Sequence, residues 1–275
     1  MKRTALLSPL LAACLAVGTA HAGGAGQEPL NFLFLDGGAR AVGMGGAYTA
    51  LAADSNALLY NPAGLAGAER YEATFMHNEH FRSITQEYVG LVTPSGFGAN
   101  LNFVDYGRTD KTTISKPAGT GSQFTITDLA AAVGYARSLG AALAAGGAVK
   151  LVRESIESVT AQGYAVDLGV LGRAPWDPGL RVGFAVQNFG PGIRYQSKTE
   201  NLPLNLRAGA ARDFTLLGLR QTASFDLTKE RSERVLAALG YEAAVAESLR
   251  LRAGFNTRND AGLGVTLGAG WRSAS

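Results

Sequence analysis

Side chains able to do reactive chemistry are few and scattered in this chain. The one cysteine is Cys14, and the three histidines are His21, His77 and His80. A zinc site takes three or four ligands, and no Cys, His or carboxylate cluster joins His77 and His80. Hydrolytic chemistry needs a nucleophile, a base and an orienting group that converge. The serines are dispersed and no G-x-S-x-G is present. Gly43-Met44-Gly45-Gly46 ahead of a helical stretch looks like half of a nucleotide-binding loop. The rest of that fingerprint is missing, because no repeated βαβ units follow. The expectation is a protein that is not an enzyme and carries no metal and no cofactor.

What remains is charge laid out along strands. Leu180, Val182, Phe184 and Val186 alternate with Arg181, Gly183, Ala185 and Gln187. Tyr164, Val166 and Leu168 alternate with Asp167 and Gly169, and Leu249 to Asn256 repeats the pattern with Arg250 and Arg252. Period two is the mark of a strand with one apolar face. Twelve such spans are visible: 70–79, 85–93, 97–106, 125–137, 141–154, 161–174, 179–188, 204–213, 217–227, 234–244, 248–256 and 262–271. A tilted strand of about 9–11 residues crosses a bilayer.

The face carrying Leu, Val, Phe, Tyr and Trp is therefore expected to meet lipid. The opposite face would line a lumen, since a mid-membrane Arg or Lys on the lipid side costs up to about 2–4 kcal/mol. Asp167, Arg181, Arg207, Arg220, Asp226, Glu242, Arg250 and Arg252 are the lumen candidates. Internal ion pairs often serve structure alone, and that reading stands beside direct contact with a ligand.

The connections alternate in length. Residues 94–96, 138–140, 176–179, 215–216 and 246–247 read as tight turns. Longer polar loops are expected at 78–84, 107–123, 155–160, 189–203, 229–233 and 257–261. Short periplasmic turns and longer outer loops are the habit of outer-membrane barrels.

Met1 to Ala22 reads as a signal peptide: Lys2-Arg3, an apolar run and Ala20-His21-Ala22 as the cleavage site. Leu11-Ala12-Ala13-Cys14 offers a competing lipoprotein reading at Cys14. Beyond Ala22 no apolar run of about 20 residues could span a membrane as a helix. The formal net charge is +3 and the basic residues are dispersed, so nucleic acid is not an expected partner.

One stretch is unlike the strands. Phe34 to Leu65 is glycine-rich, with Gly37, Gly38, Gly43, Gly45, Gly46 and Gly64. It predicts a short helix near 47–53 and a second at 57–60 with a cap among Asp54, Ser55 and Asn56. Asn61 then caps a further turn with Pro62 at its first position. The segment is too small to form a core alone and needs a wall around it.

This stretch resembles the N-terminal hatch of PorV/PorQ-type outer-membrane proteins and their FadL-like relatives. Gly38-Ala39-Arg40-Ala41, Gly43 to Ala47 with Gly45 and Gly46, Ala53-Asp54 and Asn61-Pro62-Ala63-Gly64-Leu65 carry the likeness. A second block, Val186 to Pro191, Leu202-Pro203-Leu204 and Arg207-Ala208-Gly209, follows in the same order. The resemblance implies an all-β, antiparallel up-and-down transmembrane β-barrel in the bacterial cell outer membrane. It divides the chain into a signal peptide (1–22), a hatch in the lumen (23–68) and a barrel (69–275). It implies outer-membrane lipid as surroundings and either passage of a hydrophobic small-molecule ligand or a role beside secretion-system proteins. A soluble periplasmic all-β protein is the remaining alternative. The family expectation is fourteen strands, so either the last hairpin is missing or a smaller barrel closes.

Overall fold

The computed structural model describes residues 29–196, 198–231, 234–258 and 263–273. The signal-peptide reading lies outside them. Among the described residues, twelve strands form one antiparallel sheet in which each main strand pairs with the next. They are β1 (Glu72–Glu79), β2 (Thr85–Val92), β3 (Phe97–Asp110), β4 (Gln123–Ser138), β5 (Leu143–Ile156), β6 (Val159–Ala174) and β7 (Asp177–Phe189). A small hairpin of β8 (Ile193–Tyr195) and β9 (Lys198–Glu200) interrupts the series. The sheet resumes with β10 (Asn205–Leu216), β11 (Leu219–Glu230), β12 (Val235–Ala244), β13 (Leu249–Asn256) and β14 (Val265–Trp271). No ladder pairs β1 with β14 among the described residues.

Alternation along the strands sorts the side chains as the sequence implies. On β6, Tyr164, Val166, Leu168 and Val170 are exposed while Ala161, Ala165, Asp167 and Gly169 are buried. Val133, Val149, Leu151, Leu239 and Leu267 extend the exposed apolar surface around the sheet. Tyr71, Phe97, Tyr135, Trp176 and Trp271 stand exposed near the tight-turn end, and the rings of Phe97 and Tyr135 lie 4.7 Å apart. A soluble monomer rarely exposes a contiguous apolar patch beyond a few hundred Å². Among the described residues no second layer covers this one, because the other sheet is only the β8–β9 hairpin. Two sheets packed face to face, as in a β-sandwich, are not formed by the described residues.

Residues 29–68, the insert, pack against the inner face. The sequence places a helix at 47–53; the structure instead forms α1 at Ala39–Gly43, ahead of the glycines. Gly45 and Gly46 adopt positive φ and stop the helix. The amides of Tyr48 and Thr49 are then taken by a carboxylate of the wall, Asp226, at 3.1 and 2.9 Å. The second helix, α2 (Ala57–Tyr60), forms where expected. Asn61 accepts from the Ala63 amide at 3.1 Å and Pro62 opens a 3-10 turn over Pro62–Gly67.

Two further expectations need correction. The connection at 155–160 is a two-residue turn, Glu157-Ser158, because β5 and β6 run on to Ile156 and from Val159. Loop length therefore does not alternate regularly. The loop at 189–203 contains the β8–β9 hairpin, which folds inward and buries Ile193 and Leu202.

The insert fits because the wall withdraws its side chains where the two meet. Gly98 faces Gly134, Gly146 faces Gly169, Gly183 faces Gly209 and Gly240 faces Gly254 across adjacent strands. A Cβ on Gly254 would lie 2.2 Å from the Gly45 nitrogen, and one on Gly183 would lie 2.6 Å from the Thr49 carbonyl oxygen. Only glycine permits that approach of backbone to backbone. Valine otherwise suits a strand, so Gly254→Val should leave the sheet intact and unseat the insert. Limited proteolysis should then cut within 29–68 while the folded protein keeps its heat-dependent shift on a gel; wild-type protection of that segment would refute the packing.

Candidate functional site

The space inside the sheet has two levels, and the insert makes the floor. Asp226 on β11 is the anchor. Its Oδ2 accepts from the Tyr48 and Thr49 amides, from Thr49 Oγ1 at 2.6 Å and from Arg207 Nη2 at 3.3 Å. Arg207 on β10 also donates to Thr49 Oγ1 at 2.9 Å and to the Gly46 carbonyl at 2.8 Å. Both charged side chains are almost wholly buried, at 1% and 7% exposure. A second clamp holds α1: Arg40 and Arg252 grip Glu242 on β12 from either side, at 2.9 and 2.7 Å.

The aromatic pair beneath is equally constrained. Tyr48 and Tyr60 meet edge to face with centroids 5.2 Å apart, and the Arg207 guanidinium lies over the Tyr60 ring. Burial pushes the phenol pKa of Tyr60 well above its ordinary value. The neutral hydroxyl serves both backbone groups of Gly37, accepting from its amide at 3.1 Å and donating to its carbonyl at 3.0 Å. Tyr48 donates to Asp54 Oδ2 at 2.6 Å, and Asp54 Oδ1 accepts from the Asn56 amide. Asn61 Nδ2 donates to the Thr49 and Val170 carbonyls, tying the insert to β6.

The sequence-derived residues thus fall into distinct places. Arg40, Asp54 and Asn61 hold the insert by hydrogen bonds and Gly45 and Gly46 turn its chain, while Pro62 starts its last turn. Gly38 donates to Met76 Sδ on β1, and Gly43 lies against Arg252 and Gly268. Arg207, Asp226, Glu242 and Arg252 are brought together with the insert. Asp167 is not: it forms an ion pair with Lys150 at 2.9 Å and accepts from the Asn188 amide at 2.7 Å, within the wall. Arg181 pairs with Asp213, Arg250 donates to the Ala246 carbonyl in its own turn, and Arg220 lines an opening at the tight-turn end. Sequence reasoning missed Thr49 and Lys150, although Lys150 carried the same alternation signal as Asp167.

Above the floor lies a packed apolar cluster inside the sheet. Leu30 and Phe32 of the insert are buried against Val104, Val152, Ala165, Ile193 and Leu202. Tyr106 and Tyr195 edge it, bound to Asp128 at 2.8 Å and to Glu154. His77 and His80 lie elsewhere, paired with Glu87 and with Asn78 and Gln86. Removing one partner of a buried pair leaves an uncompensated charge and costs about 3–5 kcal/mol. Asp226→Ala should therefore free the insert from β10 and β11, seen as rapid amide exchange at 46–49. Exchange as slow as in the parent protein would show that the carboxylate is not the anchor.

A UPF0164 protein of Treponema pallidum (strain Nichols) is 29% identical over 177 residues, covering 60% of this chain and 44% of the relative. The chain thus spans less than half the length of that curated relative. The Pseudomonas putida toluene transporter TodX superposes with a TM-score of 0.57 at 16% identity, over 87% of this chain and 90% of that one. The CymD monoaromatic hydrocarbon channel superposes at 0.52 with 11% identity, over 80% and 82%. Likeness at these identities concerns the fold, an antiparallel barrel of that type. An uncharacterised protein family, UPF0164, matches residues 12–170, more than half of the chain, and the chain belongs to that family.

Proposed function

We propose that this protein is an outer-membrane barrel offering small hydrophobic or amphipathic molecules a passive route, with residues 29–68 as a hatch that must yield before anything passes. The observation that carries the reading is the apolar cluster inside the sheet, in which Leu30 and Phe32 of the insert pack against the wall; drawing the insert back would leave an apolar space there. An apolar concavity of this kind is where small ligands bind. A sheet greasy outside and apolar again in part of its interior suits a solute that leaves water on one side and enters lipid on the other. Its neighbours in fold are a toluene transporter and a monoaromatic hydrocarbon channel, and a molecule of that size matches the space Phe32 occupies. Membership of the PorV/PorQ branch would add a secretion partner. The apolar interior favours transport over that role, because it lies within the sheet, where a small molecule fits and a folded protein does not.

Binding of the apolar dye N-phenylnaphthylamine to the refolded protein tests the reading. Phe32→Ala empties a ring-sized volume in the cluster and should raise dye binding several-fold. The signal should fall when toluene is added. Dye binding equal in both proteins and indifferent to toluene would remove the cluster as a ligand site.

A further inference from the structure

At the edge of the apolar cluster, two carboxylates face each other across the wall. Asp128 on β4 and Glu154 on β5 are direct partners in the ladder. Like charges so placed destabilise a sheet unless a cation or a proton lies between them. Each carboxylate carries one phenol. Tyr106 donates to Asp128 Oδ2 at 2.8 Å, and Tyr195 of the inward-folded β8–β9 hairpin donates to Glu154 Oε2. The four groups converge: Glu154 acts electrostatically on both Asp128 and Tyr106, and Asp128 acts on Tyr195.

What this rung lacks is a cation. Among the described residues the other buried acids each have a basic partner: Asp167 has Lys150, Asp226 has Arg207, Glu230 has Arg258 and Glu242 has Arg252. Asp128 is 3% exposed and has none among the described residues, and its Oδ1 is sealed from solvent without a hydrogen-bond donor. A buried carboxylate left so is costly. Glu154 is half-buried and lies two residues before the end of β5, so solvent reaches the pair from the strand ends. The donors are carboxylate and phenol oxygens with no His or Cys among them, a set that suits Ca²⁺ and not the softer metals. Sequence spacing hides the pair, because register alone brings Asp128 and Glu154 together.

We propose that Asp128 and Glu154 bind one calcium ion between them, with Asp128 Oδ1 and the Glu154 carboxylate as ligands and water completing the shell. The Tyr195 phenol, held by Glu154, couples the ion to the β8–β9 hairpin, whose Ile193 is buried in the apolar cluster. Calcium binding at this rung is independent of any passage through the barrel. Calcium chloride titrated calorimetrically into the full chain in neutral detergent, where no lipid phosphate competes, tests it. One ion should bind with a Kd of about 10⁻⁴–10⁻³ M, the range of extracellular calcium modules. Asp128→Asn and Glu154→Gln keep the side-chain shape and should each weaken binding about tenfold or more, since affinity follows ligand charge. Glu87→Gln, at an exposed acid on β2, should leave binding unchanged. Calcium should also slow amide exchange at 193–195 in the parent protein and not in Asp128→Asn. Absence of calcium binding, the result if the two carboxylates share a proton instead, would overturn the proposal. So would binding indifferent to Asp128→Asn, or weakened as much by Glu87→Gln. Binding that leaves exchange at 193–195 unaltered would overturn the coupling to the hairpin.

Discussion

A polypeptide segment with its own helices has to fit inside the curve of a twelve-stranded sheet, and the separation available sets everything else. Inward side chains of ordinary size would fill that space, as they do in narrow barrels. Here the wall gives up side chains at the level of the insert, and glycine meets glycine across neighbouring strands. Backbone then lies against backbone. That contact leaves peptide groups of the insert in need of partners.

Those partners come from buried ions. Asp226 takes the amides of Tyr48 and Thr49, and Arg207 takes the Gly46 carbonyl. The anchoring charges are compensated by each other and by the insert, so a mutation on one side of the contact strands a charge on the other. Asp167 and Lys150 show the opposite case, an equally buried pair that serves the wall and the Asn188 turn alone.

The strands were legible because each is greasy on one face, and twelve spans read from alternation match the twelve strands of the sheet to within a few residues. Legibility failed where the decisive partner is remote. Residues 47–53 have helical composition, yet the Tyr48 amide answers to a carboxylate some 178 positions later, as does that of Thr49. The turn at Glu157-Ser158 was hidden because polar residues at the end of a long strand look like loop. Among the charged residues, alternation identified which face each occupies but could not separate Asp226, which grips the insert, from Asp167, which does not. The glycines were visible on the wet face; their pairing across strands depends on register, which a single strand does not contain.

The insert is held unevenly, and that bears on how it could give way. Its first half, from Arg40 to Thr49, is bound to β10–β13 through Glu242, Arg252, Arg207 and Asp226, all charged. Its second half meets β1, β2, β6 and β7 through neutral groups: Ser55 with Thr74 and Tyr88, Leu59 with Gln187, Asn61 with Val170. A neutral hydrogen bond is worth about 0.5–1.5 kcal/mol net, while one to a charged group is worth about 1.5–3 kcal/mol. The second half is therefore the part that opens first. Amide exchange should be faster at 57–67 than at 44–49. The reverse order would mean that the charged clamps, and not the neutral contacts, form the weak side of the insert.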